Sequence, residues 1–115
     1  MKAKDFRKLA LALAEVEESA HMGRPDFRVR GKIFATLGAP DDDWGMVKVP
    51  PTMQASLIAA EANAFRSCNG AWGRSGCTLV QLSAAQASLV RAALEAAHQR
   101  AVEEARPKRR KRPGK

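Results

Sequence analysis

The stretch Asp26-Phe27-Arg28-Val29-Arg30-Gly31-Lys32-Ile33-Phe34-Ala35-Thr36-Leu37 decides the fold. From Asp26 to Arg30 polar and apolar residues alternate, the two-residue period of a strand with one buried face. A second strand-like run starts at Lys32. Only Arg30-Gly31 separates the two, which suits a tight hairpin turn with Gly31 supplying a positive φ. An antiparallel pair is therefore expected here, with Arg28 and Arg30 sharing one strand face and Lys32 just across the turn.

Before this hairpin, residues 3–14 carry Phe6, Leu9, Ala10 and Leu13 at three- and four-residue spacing, which predicts a helix with one apolar face. Residues 19–22 read as an edge strand ended by Gly23 and Pro25. After the hairpin, residues 38–43 form a turn region, and residues 44–49 form a strand that puts Val47 and Val49 on one face and Met46 and Lys48 on the other. Pro50-Pro51 stops that strand. Thr52 is the expected N-cap of a helix over residues 53–62. Phe65–Ser67 is a short extended segment, Asn69-Gly70 a turn and residues 78–82 a strand. Ser83 and Gln86 have capping-box spacing, opening a helix that runs to about Glu104 and is closed by Pro107. The fold class is α+β, an antiparallel sheet packed with three helices. Val29, Ile33, Phe34, Val47, Leu79, Leu89 and Leu94 are the expected core.

Length and charge limit the rest. A chain of 115 residues holds one domain, assigned to 1–105, with 106–115 expected as a disordered basic tail. The formal charge is +8, yet seven of the twenty Lys and Arg fall in 106–115, which has no acid. The thirteen left in 1–105 face twelve acids, so the folded part alone exerts little long-range pull on a polyanion. The apolar run 9–14 is too short to span a bilayer, and no export signal is recognisable. A cytoplasmic location without a membrane partner is expected. In that setting Cys68 and Cys77 are expected to be reduced thiols, although the sequence leaves a disulfide between them open. They lack redox-pair spacing and have no neighbouring His, so neither a metal site nor a cofactor is expected.

The run 21–35, His21-Met22-Gly23-Arg24-Pro25-Asp26-Phe27-Arg28-Val29-Arg30-Gly31-Lys32-Ile33-Phe34-Ala35, resembles the hallmark stretch of the MmcQ/YjbR-like family. Trp44 to Val49 looks like that family's next strand, and Gly70 to Thr78 like its later turn and strand. The likeness extends over roughly residues 5–103. It implies a small α+β fold described as a double wing, often labelled DNA-binding largely on the shape of the fold, with no catalytic motif to carry across.

Candidate binding residues follow from charge. Arg24, Arg28, Arg30 and Lys32 surround the hairpin, and a wing of this kind could touch phosphates. The plainer reading is a solvated face with its cations paired to Glu17, Glu18 or Asp26. Arg74, near Trp72, would join any anion site. In the tail, Lys108, Arg109, Arg110, Lys111 and Arg112 offer non-specific, salt-dependent contact with DNA. Trp44 and Trp72 are read as wedges of a core that lacks Tyr, with base stacking as the alternative. His21 is read as a surface or structural histidine, and Asp41 to Asp43 as a solvated turn without calcium-loop spacing. No nucleophile–base–orienter set is recognisable, so a non-catalytic protein is expected, binding DNA weakly through hairpin and tail. The alternative is a protein- or small-ligand-interaction domain without nucleic-acid function.

Overall fold

The structure, a computed structural model, describes residues 1–105; the expected tail at 106–115 lies outside the described residues. In chain order the elements are α1 (Ala3–Leu11), β1 (Val16–His21), β2 (Arg24–Val29), β3 (Lys32–Leu37), β4 (Trp44–Lys48), α2 (Pro51–Ala60), β5 (Phe65–Ser67), α3 (Gly70–Arg74), β6 (Cys77–Gln81) and α4 (Ala87–Ala105). One sheet holds six strands in the order β1-β2-β3-β4-β6-β5, with every pairing antiparallel.

Two consecutive tight hairpins build the first half of the sheet. Arg30 and Gly31 adopt φ of 54° and 81°, and Met22 and Gly23 adopt 56° and 79°. Two left-handed residues in a two-residue loop match the right-handed twist of the flanking strands. The β2–β3 hairpin is as expected, except that Arg30 itself takes a left-handed conformation. The edge strand expected at 19–22 is β1, which starts earlier, at Val16; its start was not legible because Val-Glu-Glu-Ser-Ala-His is almost wholly exposed and has no apolar alternation.

The register assigns the two faces. Phe27 packs on Phe6 of α1, ring centroids 6.2 Å apart. A side chain at Gly45 would meet the same Phe6 ring at 3.1 Å. Thr78 accepts a hydrogen bond from Gln54 of α2, and Phe34 meets His98 of α4 edge-on at 5.5 Å. Helices α1, α2 and α4 thus share one face. A bulge lets Phe34 and Ala35 both turn toward it, because the Phe27–Arg28 step on β2 is matched by two steps on β3. By alternation the opposite face carries Asp26, Arg28, Ile33, Trp44, Met46, Lys48, Arg66, Cys77, Leu79 and Gln81.

All four Phe are fully buried, together with Leu57, Leu82, Leu94, Val29, Val47, Val49, Val80 and Val90. Of the expected core, Val29, Phe34, Val47 and Leu94 are buried, whereas Ile33, Leu79 and Leu89 are half-buried. Ile33 and Leu79 lie on the face without α1, α2 and α4. Leu94→Ala is expected to destabilise the domain by about 2–5 kcal/mol, the usual range for deleting a buried leucine side chain. A chemical-denaturation shift near zero would contradict the burial of this helix face.

The expected helices need four corrections, the first being that α1 ends at Leu11 and not at residue 14. There are four helices among the described residues, because Asn69-Gly70 opens the five-residue α3 instead of a simple turn. Helix α2 starts earlier than expected: Pro50 occupies the N-cap and Pro51 the first turn, where its missing N–H costs nothing. Ser83 does not cap α4, which begins at Ala87. Its hydroxyl and N–H both bond the Asp43 carboxylate, and Glu61 instead accepts the Gln86 N–H at 3.0 Å.

Candidate functional site

The hairpin cations are dispersed and partly neutralised. Arg28 lies over Asp26 with two hydrogen bonds, Nε to Oδ1 at 2.9 Å and Nη2 to Oδ2 at 3.1 Å. Asp26 is only 1% exposed, so this pair matches a buried carboxylate with the guanidinium that covers it. The contact raises the Arg28 pKa further, chiefly through the hydrogen bond to Asp26. Arg30 leaves the strand in the left-handed turn and binds Glu15 at 3.1 Å. Arg30 thus lies beyond the end of β2 at positive φ, so strand alternation does not set its face relative to Arg28. Glu18 pairs with Arg7 of α1. Arg24 opens β2 opposite His21, at the far end of the hairpin. At about 3.4 Å per residue it is roughly 20 Å from the turn that holds Arg30 and Lys32. Arg24 thus stands apart from the two cations at the tip, of which Arg30 is paired with Glu15.

Another corner of the same sheet face does combine charge and aromatic surface. Lys48 ends β4, and its Nζ lies 5.4 Å from the centroid of the Trp72 ring in α3. Trp72 is 63% exposed, which corrects its expected core role. Trp44 is buried as expected and is covered by Arg66, whose guanidinium carbon lies 4.9 Å from its ring centroid. The glycines after the two tryptophans serve packing within the chain. Gly45 admits Phe6, and Gly73 admits the carbonyl of Cys68. Among the described residues Lys32, Lys48, Arg66 and Arg74 form no ion pair.

Beside Lys48 and Trp72 a crevice of about 130 Å³ opens between the sheet end and α4, lined also by Ile33, Phe34, Ser75, Cys77, Ala97, Arg100, Ala101 and Glu104. Arg100 fastens this corner. Its Nη1 donates to the carbonyls of Val49 and Ser75, each at 2.7 Å, and its Nε donates to Glu104 at 3.0 Å. The charge of Arg100 is committed to structure, a role that no local sequence signal revealed because its carbonyl partners are 25 and 51 positions away. Glu104 lines the crevice and Ala105 ends α4, so the chain leaves the described part beside this corner.

The acidic turn has a structural task. Asp43 accepts hydrogen bonds from the Ser83 hydroxyl, the Ser83 N–H and the Gln81 amide. Its carboxyl is held below the usual carboxylate range, first by the Ser83 hydroxyl. A depressed pKa makes this stabilisation complete above the ordinary value near 3.9 and removes it as pH falls through the folded-state value. Asp43→Asn is therefore expected to be less stable than the parent protein at neutral pH, with the gap narrowing in acid. Parallel denaturation curves with the same gap at every pH would contradict the assignment. Asp41 and Asp42 are exposed, as expected for a solvated turn, and so is His21.

Among the described residues no three His, Cys, Asp or Glu side chains are grouped to hold a metal ion. No helix there is long and apolar enough to cross a membrane. No curated protein matches the chain at a significant level. A family model described as YjbR matches residues 11–100, which takes in every strand, α2, α3 and α4 as far as Arg100. On that match, and with an antiparallel α+β sheet of the expected kind, the chain belongs to the YjbR family.

Proposed function

We propose that this protein is a non-catalytic nucleic-acid-associated protein. It would contact DNA through the Lys48–Trp72 corner of the sheet and the cations of residues 106–115, and only weakly through the hairpin. The observation that carries the reading is the exposed Trp72 ring with Lys48 5.4 Å from its centroid. An exposed indole can stack on an unpaired base, and an adjacent ammonium can meet the flanking phosphate. Lys32 and Arg74 add charge that no described carboxylate offsets, whereas Arg28 and Arg30 are already engaged by Asp26 and Glu15. The crevice beside this corner is small for a ligand site, since about 130 Å³ is well below the roughly 300–1,000 Å³ of most small-molecule sites.

The test is binding of a fluorescent single-stranded oligonucleotide at low salt. Trp72→Ala is expected to cost about 1–3 kcal/mol, the range for loss of one stacked base. Lys48→Ala should weaken binding less and reduce its salt dependence. Arg24→Ala and Arg30→Ala should leave it nearly unchanged. Equal binding by the parent protein and Trp72→Ala would remove Trp72 from the contact, and a larger loss in the Arg30 variant would return the site to the hairpin. Absence of binding by the parent would remove the nucleic-acid reading.

A further inference from the structure

Cys68 follows β5 and Cys77 opens β6. The β5–β6 register, Phe65 opposite Val80 and Ser67 opposite Thr78, sets the two cysteines directly across from each other. The Cys68 N–H donates to the Cys77 carbonyl at 2.9 Å, so they occupy a hydrogen-bonded cross-strand position. Such positions hold Cα atoms about 5.5 Å apart, within the span that a disulfide bridges without moving the backbone. Cys77 lines the crevice at the end of α4, and the two sulfurs lie 2.8 Å apart. Between them runs the segment that carries α3 and Trp72.

We infer that Cys68 and Cys77 form a peroxide-responsive dithiol, which closes reversibly to a cross-strand disulfide around the α3 segment. Access is uneven and suits this role. Cys77 is buried against bulk solvent but lines the crevice beside Lys48, which has room for a molecule as small as hydrogen peroxide, and Cys68 is half-buried. The chemistry is divided between the two sulfurs. Cys77 is the more acidic thiol, because Cys68 hydrogen-bonds to its sulfur and the Lys48 ammonium is near. The same contact and partial burial keep the proton on Cys68. The Cys77 thiolate attacks one peroxide oxygen; an S–O bond forms, the O–O bond breaks, and hydroxide leaves and takes a proton as water. Cys68 then attacks the sulfenic sulfur of Cys77, the S–O bond breaks, and a second water leaves with the Cys68 proton. Two thiols are oxidised by two electrons and one peroxide is reduced to two waters. The inference does not depend on nucleic-acid binding.

The experiment uses the full chain, reduced and freed of reductant, then treated with stoichiometric hydrogen peroxide. Intact mass and differential alkylation should show both thiols lost together, with a mass loss of two hydrogens, a Cys68–Cys77 linked peptide, and full reversal by dithiothreitol. In Cys68→Ser, peroxide should stop at a Cys77 sulfenic acid that dimedone traps. Two thiols still alkylated after treatment of the parent protein, or Cys77 oxidised beyond the sulfenic acid while Cys68 stays free, would overturn the inference. The parent readout alone decides the matter if Cys68→Ser fails to fold.

Discussion

Gly76→Ala is expected to destabilise the domain by roughly 4–5 kcal/mol, at the extreme of single-substitution effects. Gly76 joins α3 to β6 at φ +111°, a conformation that L side chains rarely adopt. A Cβ there would lie 1.8 Å from the Val49 carbonyl oxygen and 2.8 Å from Arg100 Nη1. Neither neighbour can yield cheaply. Val49 is fully buried, its carbonyl accepts the Arg100 hydrogen bond, and its N–H donates to the Gly76 carbonyl at 3.3 Å. The Thr78 hydroxyl donates to that same carbonyl at 2.8 Å. Accommodating a methyl group would separate the end of β4 from the start of β6 and release Arg100 from the corner it fastens. A loss of this size is a large share of the roughly 5–15 kcal/mol that stabilises a typical domain. Gly70→Ala is the control, because Gly70 also has positive φ, +66°, but nothing lies within 4 Å of its Cβ position. It should cost only about 1 kcal/mol, from backbone conformation alone. Denaturation curves with equal shifts for the two variants would show that the approach of Val49 is not what fixes Gly76.

How far the sequence revealed this architecture follows from how local each signal was. The β2–β3 hairpin was legible because alternation and the Arg30-Gly31 turn lie within twelve residues. Strand β4 was legible from Val47 and Val49, and α4 from its long apolar stripe. The boundaries set by distant partners were not legible. Ser83 looks like a cap, yet Asp43, forty positions earlier, takes its hydroxyl. The Arg28–Asp26 pair was legible because the two residues are two positions apart on one strand, while the Arg30–Glu15 pair, fifteen positions apart, depends on the pairing of β1 with β2. Trp72 looked like core because tryptophan usually is; its exposure follows from its place on a five-residue helix at the sheet's open face. The fold was thus largely readable, and the candidate site was readable as a list of cations with one partner, Asp26, named correctly, while the Arg30–Glu15 pair and the exposed Trp72 were not.

Removal of residues 106–115 is expected to abolish most of the affinity for DNA at low salt and nearly all of its salt dependence. The argument rests on charge. That segment holds seven Lys and Arg and no acid, against a near balance in residues 1–105. If all seven neutralise phosphates, counterion release predicts a slope of log affinity on log salt of about −6 on duplex DNA and about −5 on single strands. A protein with that many phosphate contacts loses about a thousandfold or more between 50 and 200 mM salt. Such contacts do not read bases, so the tail alone would treat duplex and single strand almost alike. The Lys48–Trp72 corner should not, because stacking on Trp72 needs an unpaired base. Two titrations separate the contributions: full-length and shortened protein, each against duplex and single-stranded DNA over a series of salt concentrations. The shortened protein should keep a weak preference for single strands with only the shallow salt dependence that Lys48 contributes, and that preference should vanish with Trp72→Ala. An unchanged slope after shortening would place the phosphate contacts on the body. Loss of all discrimination together with the tail would leave Trp72 without a part in recognition.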